Sequence, residues 1–320
     1  MKNIVIIGGG TGTFTLLSGL RKFPSNNSVI VSSADDGGST GILRKELGVM
    51  PPGDIRQCLV GLSYTQNEMK ELFNFRFDSG SLKGHSVGNI ILAALEKIAG
   101  TEEGINLASK MLNVRGQVLP VTLKPTVLSA VLKNGKKVVG EHNIDMPQKR
   151  EAIKSISLSP SGPVNPKVLK ALHEADAIIL GPGDLYTSVL PSLLVKGVKE
   201  AIDKSLAKKV LVGNIMTQAG QTDKFKLADF AREINKHLGK NKLDAVIINN
   251  KKPDSNALAA YKKQGAGFVA PETEALKGIK IVKADLLSKT IYKKAKGDVL
   301  HRSLLRHDSD KVAKLIWEII

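Results

Sequence analysis

A short apolar run that ends abruptly in glycines is the strongest constraint on how this chain folds. Ile4, Val5, Ile6 and Ile7 lead straight into Gly8-Gly9-Gly10-Thr11-Gly12-Thr13. Phe14, Leu16, Leu17 and Leu20 then recur at helical spacing. A continuous apolar run of this length, closed by glycine and followed by an amphipathic helix, predicts a parallel strand buried on both faces. The same unit recurs along the chain. Strands are expected at residues 28–33, 177–180, 209–213, 245–249 and 279–282, and helices at 166–174, 188–204, 224–238, 257–263 and 308–320. Alternation of this kind implies a Rossmann-like, three-layer α/β/α arrangement with a mostly parallel sheet.

Two stretches depart from the alternation. Residues 34–113 read as mostly helical, with breaks at Pro51-Pro52-Gly53, Ser79-Gly80 and Gly100. Residues 117–158 read as short strands around Asn134-Gly135, a hairpin signal because both positions accept positive φ. A small β-hairpin insertion is expected there, at about 117–158, within a single domain spanning 1–320. The 320-residue length is enough for one large core.

Composition narrows the function classes. The formal charge of +17 would attract nucleic acid, anionic membrane or phosphorylated metabolites alike. No block of five like charges occurs, and only 4% of residues are aromatic, so stacking platforms for single strands are few. Specific nucleic-acid binding is therefore not expected. The single cysteine, Cys58, lies among apolar residues and reads as packing. No apolar run approaches a membrane span and the N-terminus lacks a signal-peptide core, so a cytoplasmic location is expected.

Six polar, glycine-rich turns carry whatever chemistry the chain has. Gly8 to Thr13 follows the first strand and opens a helix, where backbone N–H groups and the helix dipole favour an anion. It is not the dinucleotide fingerprint, because Thr13 occupies the third glycine position, and no Lys-Ser/Thr pair makes it a P-loop. Asp35-Asp36-Gly37-Gly38-Ser39-Thr40-Gly41 follows the second strand; its carboxylates suit Mg²⁺ or a ribose, although Asp before Gly is also ordinary turn chemistry. Asp54, in Pro51-Pro52-Gly53-Asp54, stands where a helix N-cap is expected. His85, in Gly84-His85-Ser86-Val87-Gly88-Asn89, has no second ligand at zinc spacing, and no Gly-x-Ser-x-Gly elbow exists. The turns at 180–188 and 214–222 complete the set. In an open α/β sheet such turns converge on one crevice.

In order along the chain these motifs resemble the YvcK/CofD family. The resemblance rests on Gly9-Gly10-Thr11-Gly12-Thr13, residues 34–41, Pro52-Gly53-Asp54, Gly84-His85-Ser86-x-Gly88-Asn89, Asn165-Pro166-Lys167, Gly181-Pro182-Gly183 and Met216-Thr217-Gln218. It implies one of two functions. The CofD branch transfers phospholactate from a guanylylated donor onto a deazaflavin alcohol with Mg²⁺. The YvcK branch is associated with UDP-sugar binding, such as UDP-N-acetylglucosamine, and with cell shape and cell-wall precursor supply on gluconeogenic carbon. Residues 35–41, Phe75-Arg76-Phe77 and 84–89 resemble the YvcK branch. A nucleotide-sugar-binding regulator is thus expected, with a transferase as the alternative.

By this resemblance Gly9, Gly10, Thr11, Gly12 and Thr13 would cradle a diphosphate. Asp54 would be the catalytic and metal candidate, taking Mg²⁺ if any metal is used. Further binding candidates are Asp36, Ser39, Arg44, His85 and Asn89; Gly183, Tyr186 and Thr187; Asn214, Met216, Thr217, Gln218, Gly220 and Thr222; and Tyr261 and Arg306. Asp184 stands where the family often has Ser, Ser192 where Asn is usual, and Gln221 replaces a common Glu. The implied partner is a nucleotide-sugar or another nucleotide diphosphate. Base, sugar and any homo-oligomer stay open.

Overall fold

The computed structural model describes residues 1–146, 150–272, 276–290 and 303–320. Seven strands form one parallel sheet: β1 (Lys2–Ile7), β2 (Ser25–Val31), β3 (Gln117–Pro120), β7 (Ala177–Leu180), β8 (Lys208–Val212), β9 (Ala245–Asn249) and β10 (Lys280–Ala284). Three more, β4 (Val127–Leu132), β5 (Lys137–Val139) and β6 (Ile153–Ser159), form a small antiparallel sheet in the order β5-β4-β6. The large sheet runs β10-β9-β8-β7-β1-β2-β3. From β1 the chain first builds outward through β2 and β3, then returns to the other side of β1 and builds outward from β7 to β10. The strand order therefore reverses between β1 and β7.

The period-two alternation of a strand divides the sheet's side chains between two cores. Val5, Ile7, Ile30, Ile178, Leu180, Val246 and Ile248 face one of them. Ile4, Ile6, Val29, Val31, Ile179, Val210 and Ile247 face the other. Both sets are almost wholly shielded from solvent. Each such aliphatic side chain contributes about 1.5–3 kcal/mol through burial. Leu16 and Leu17 from helix Gly10–Leu20, Leu59 and Leu62 from Pro52–Leu62, and Val312 and Ile316 from Ser309–Ile319 cover the second face. Val168 and Leu172, Phe230 and Ile234, and the inward residues Leu128, Ala130 and Leu132 of β4 cover the first. This is the three-layer α/β/α arrangement. Gly19 allows helix Gly10–Leu20 to press on the C-terminal helix: a Cβ there would lie 2.1 Å from the Ser309 carbonyl oxygen.

Local signals account for the element ends. Ser86 caps helix Val87–Ala99 by accepting from the Asn89 N–H, and Asn165 caps Pro166–His173 by accepting from the Lys167 N–H. Asp308 caps the C-terminal helix through the Asp310 and Lys311 amides.

Four expectations need correction. Gln117–Pro120 joins the parallel sheet beside β2, so the antiparallel strands begin only at Val127. In the hairpin turn only Gly135 takes positive φ, at 85°; the Gly135 N–H reaches the Leu132 carbonyl, which makes a longer turn closing on a left-handed glycine. The strand expected over 136–141 forms as β5 but stops at Val139, because a short helix, Glu141–Asp145, follows. The helix expected over 188–204 is broken into a π turn at Leu185–Val189 and helices Leu190–Leu193 and Val198–Lys204.

Candidate functional site

The reversal between β1 and β7 opens a crevice at the carboxyl ends of the strands, where open α/β sheets bind ligands. The glycines after β1 build its floor, each for its own reason. Gly10 begins the helix with φ at +67°, a conformation that strains any residue with a Cβ. A Cβ on Gly12 would meet the Pro182 carbonyl oxygen at 2.6 Å, so the two loops flanking the switch point touch backbone to backbone. A Cβ on Gly9 would meet Asp54 Oδ2 at 1.9 Å. Helix Gly10–Leu20 has neither a side-chain cap nor an acidic residue in its first turn. Its leading N–H groups are thus left to a ligand or solvent. Helix Gly38–Leu47 likewise starts uncapped at the same cleft.

The cleft has a volume of about 210 Å³. Of the residues proposed from sequence, it gathers Gly9, Gly10, Thr11, Gly12, Ser39, Asp54, Asn89, Gly183, Thr187, Asn214, Met216, Thr217, Gln218, Tyr261 and Arg306. Segments separated by up to three hundred positions therefore meet in one crevice. Tyr261 anchors the last of them: its phenol oxygen accepts from the Leu305 N–H at 3.2 Å, next to Arg306. Asn214 Nδ2 donates to the Gly183 carbonyl at 3.0 Å and ties two of the turns together.

Seven other sequence candidates stand behind the wall. Thr13 is buried and donates to the Pro182 carbonyl at 3.3 Å. Asp36 accepts from the His142 N–H at 2.7 Å. Arg44 donates to the carbonyls of Ala34, Asp35 and Thr126, and so fastens the loop after β2 to the start of β4. His85 Nδ1 lies 3.1 Å from Ser39 Oγ, beneath the cleft. Tyr186 packs against Phe225. The Gly220 N–H donates to Asp223, and Thr222 Oγ1 accepts from the Gln218 N–H. Their polar groups hold the loops in place. Asp54 is not the N-cap expected; Pro51 takes that position, and Asp54 sits in the first turn of Pro52–Leu62 with its carboxylate toward the glycine loop.

A buried polar network stiffens the floor. Arg56 Nε donates to Asn89 Oδ1 at 2.9 Å, and Asn89 Nδ2 donates to Ser39 Oγ at 3.2 Å. Three helices, Gly38–Leu47, Pro52–Leu62 and Val87–Ala99, are thereby locked in register at the cleft. Arg56 and Arg76, both lining it, were missed in sequence, as were Glu141, Asp145 and His307. Asp35 shared a motif with Asp36, and only the fold decides which of the two faces inward. Glu141 and Asp145 come from a segment whose pattern suggested a strand end.

Among the described residues lining the cleft, carboxyl groups outnumber the three guanidiniums of Arg56, Arg76 and Arg306, the reverse of the balance in the whole chain. Despite the net charge of +17, five carboxyl groups line the cleft: Asp35, Asp54, Glu141, Asp145 and Asp184. Burial pushes Asp184 up to about 7, helped by the charges of Asp145 and Asp54. Burial also raises Glu141 well above the ordinary range, with Asp35 and Asp145 adding to it. Asp35 is raised for the same reason, although the Gly37 N–H and Thr40 bind its charged form. Burial holds His307 down at about 4, so its ring is neutral. His307 Nε2 lies 3.2 Å from the Gly213 carbonyl oxygen, which can only accept, so Nε2 carries the proton.

Among the described residues no three His, Cys, Asp or Glu side chains come close enough to hold a metal by themselves. Mg²⁺ is commonly held by one or two carboxylates together with substrate phosphates. Asp54, beside the phosphate-favouring glycine loop, fits that arrangement. No described helix is long and apolar enough to cross a membrane.

The family described as 2-phospho-L-lactate transferase CofD matches residues 4–287. The chain belongs to the CofD family. It falls on the gluconeogenesis-factor, or YvcK, branch of this family. The gluconeogenesis factor of Bacillus subtilis is 40% identical over 323 residues, covering 99% of this chain and 98% of that protein. The gluconeogenesis factor of Listeria innocua is 38% identical over 320 residues, covering 99% and 95%. The crystal structure of a UPF0052-family protein from Bacillus halodurans superposes on this CofD-family chain with a TM-score of 0.91 at 39% identity, covering 99% of this chain and 98% of that one.

Proposed function

We propose that this CofD-family protein is a cytoplasmic nucleotide-sugar-binding factor. It takes a UDP-sugar such as UDP-N-acetylglucosamine and serves cell shape and cell-wall precursor supply during gluconeogenic growth. The observation that carries the reading is the convergence, at the strand-order reversal, of the uncapped helix start at Gly10 with the turns around Gly183 and Asn214. A diphosphate placed over residues 9–12 would meet backbone N–H donors and the positive helix end. Tyr261 and Arg306, which line the cleft, would contact the sugar nucleotide. The names of the relatives, gluconeogenesis factors, support the part of the proposal that concerns gluconeogenic growth.

A transferase of the CofD type is the second reading, favoured by the family match and by Asp54 beside the glycine loop. In that case Asp54 would hold Mg²⁺ against the donor's phosphates, and the metal would neutralise charge developing on them. Calorimetric binding of UDP-sugars, set beside GDP, tests the first reading. Turnover of a nucleotide donor with Mg²⁺ and an acceptor alcohol would favour the second.

A further inference from the structure

One hydroxyl in the cleft wall is left without a partner. Thr187 is only 4% exposed and lines the cleft, yet its Oγ1 makes no hydrogen bond. Leaving a buried hydroxyl unsatisfied costs about 1–3 kcal/mol. Native proteins carry few such groups, and one facing a cleft is a candidate contact for a ligand. Thr187 sits in the π turn Leu185–Val189, the type of irregularity that often marks functional sites.

The surroundings of Thr187 say what kind of group would meet it. The short helix Glu141–Asp145 packs on the π turn, and the Asp145 carboxylate lies close enough to Asp184, which immediately precedes the turn, to help raise its pKa. Asp145 is held in place from below: Gln221 Nε2 donates to its Oδ1 at 3.2 Å, and Gln218 Nε2 reaches its carbonyl at 3.4 Å. A phosphate between Asp184 and Asp145 would be repelled by the negative charge that these carboxyls carry. The N–H donors suited to phosphate are those of the uncapped helix starts at Gly10 and Gly38, neither of which has an acidic residue in its first turn. A neutral hydroxyl can donate to carboxylates without any charge conflict and accept from Thr187.

We propose that the end of the cleft between Thr187, Asp184 and the helix Glu141–Asp145 is a hydroxyl-recognition subsite for the sugar of a nucleotide-sugar. It rests on the nucleotide-sugar reading and adds the source of discrimination: the subsite separates a sugar nucleotide from the bare nucleotide. Burial pushes the Asp184 carboxyl up to about 7, so near neutral pH it can donate to a sugar oxygen as well as accept.

The test is titration calorimetry of wild-type protein, Thr187→Val and Thr187→Ser with UDP-N-acetylglucosamine and with UDP, at one fixed Mg²⁺ concentration. Thr187→Val keeps the shape and removes the hydroxyl. It should lower the ratio of sugar-nucleotide to UDP affinity by about tenfold, the loss of one hydrogen bond. Thr187→Ser should keep the ratio within about twofold of wild type. The unliganded Thr187→Val protein should also melt higher than wild type, because the unsatisfied hydroxyl is gone. Equal weakening of both ligands, or an unchanged ratio, overturns the subsite while leaving the nucleotide site standing. Binding of neither ligand to wild-type protein overturns the nucleotide-sugar reading, and the subsite falls with it.

Discussion

Gly9 and Asp54 occupy space that neither could share with a larger neighbour: a methyl group on Gly9 would stand 1.9 Å from Asp54 Oδ2 and 2.5 Å from its Cγ. Gly9 has extended backbone, with φ at −152°, so alanine meets no conformational penalty there. The conflict comes only from the Asp54 side chain. Gly9→Ala should destabilise the protein by about 1–3 kcal/mol through overpacking. Adding Asp54→Ala should recover most of that loss, which chemical denaturation of the two single variants and the double variant would measure. A double variant no more stable than the additive sum would show that the strain lies elsewhere.

Asp184 gives the stability of the protein a definite pH signature. Its folded pKa of about 7 lies above the ordinary 3.8, so between those values the folded chain holds a proton that the unfolded chain has released. Stability from this group therefore falls as pH rises from about 4 to 7 and is level above that. Asp184→Asn should stabilise the protein by on the order of 1–3 kcal/mol at pH 8. At pH 4 it should change little. Thermal melts at both pH values check this; an equal shift at both would exclude the buried charge as the cause.

His307 works in the opposite direction. Its folded pKa of about 4 lies below the ordinary 6.5, so between them the unfolded chain binds the extra proton and stability drops as pH falls. His307→Gln replaces the rigid ring donor to the Gly213 carbonyl with a flexible amide, and the weaker bond and packing should cost about 1 kcal/mol at pH 7. Glutamine has no charge to bury, so the gap to wild type should narrow at pH 5. A gap that widens on acidification would mean that the folded ring accepts its proton easily.

Much of the fold was legible because parallel strands announce themselves. Ile4 to Ile7 and Ala177 to Leu180 are apolar on both faces, and each stops at a glycine. The register of the small sheet was harder. Gln117–Pro120 is short, and its residues look alike whether paired with β2 or within a hairpin. For the site, the turns were readable because glycine, serine and threonine cluster where backbone must approach a ligand. The inward choice of Asp35 over Asp36, and the arrival of Glu141 and Asp145, depend on long-range packing that no local pattern encodes. His85 and Arg44 show the converse: polar residues inside the motifs whose partners are Ser39 Oγ and backbone carbonyls beneath the cleft.

The most direct test of a nucleotide diphosphate seated over residues 9–12 is calorimetric titration of the intact protein with UDP-N-acetylglucosamine, with GDP and a dinucleotide as comparators. Saturable one-site binding of the UDP-sugar, accompanied by a rise in melting temperature with ligand concentration, is the expected result. Flat titrations and an unmoved melting temperature at millimolar UDP-sugar would contradict it.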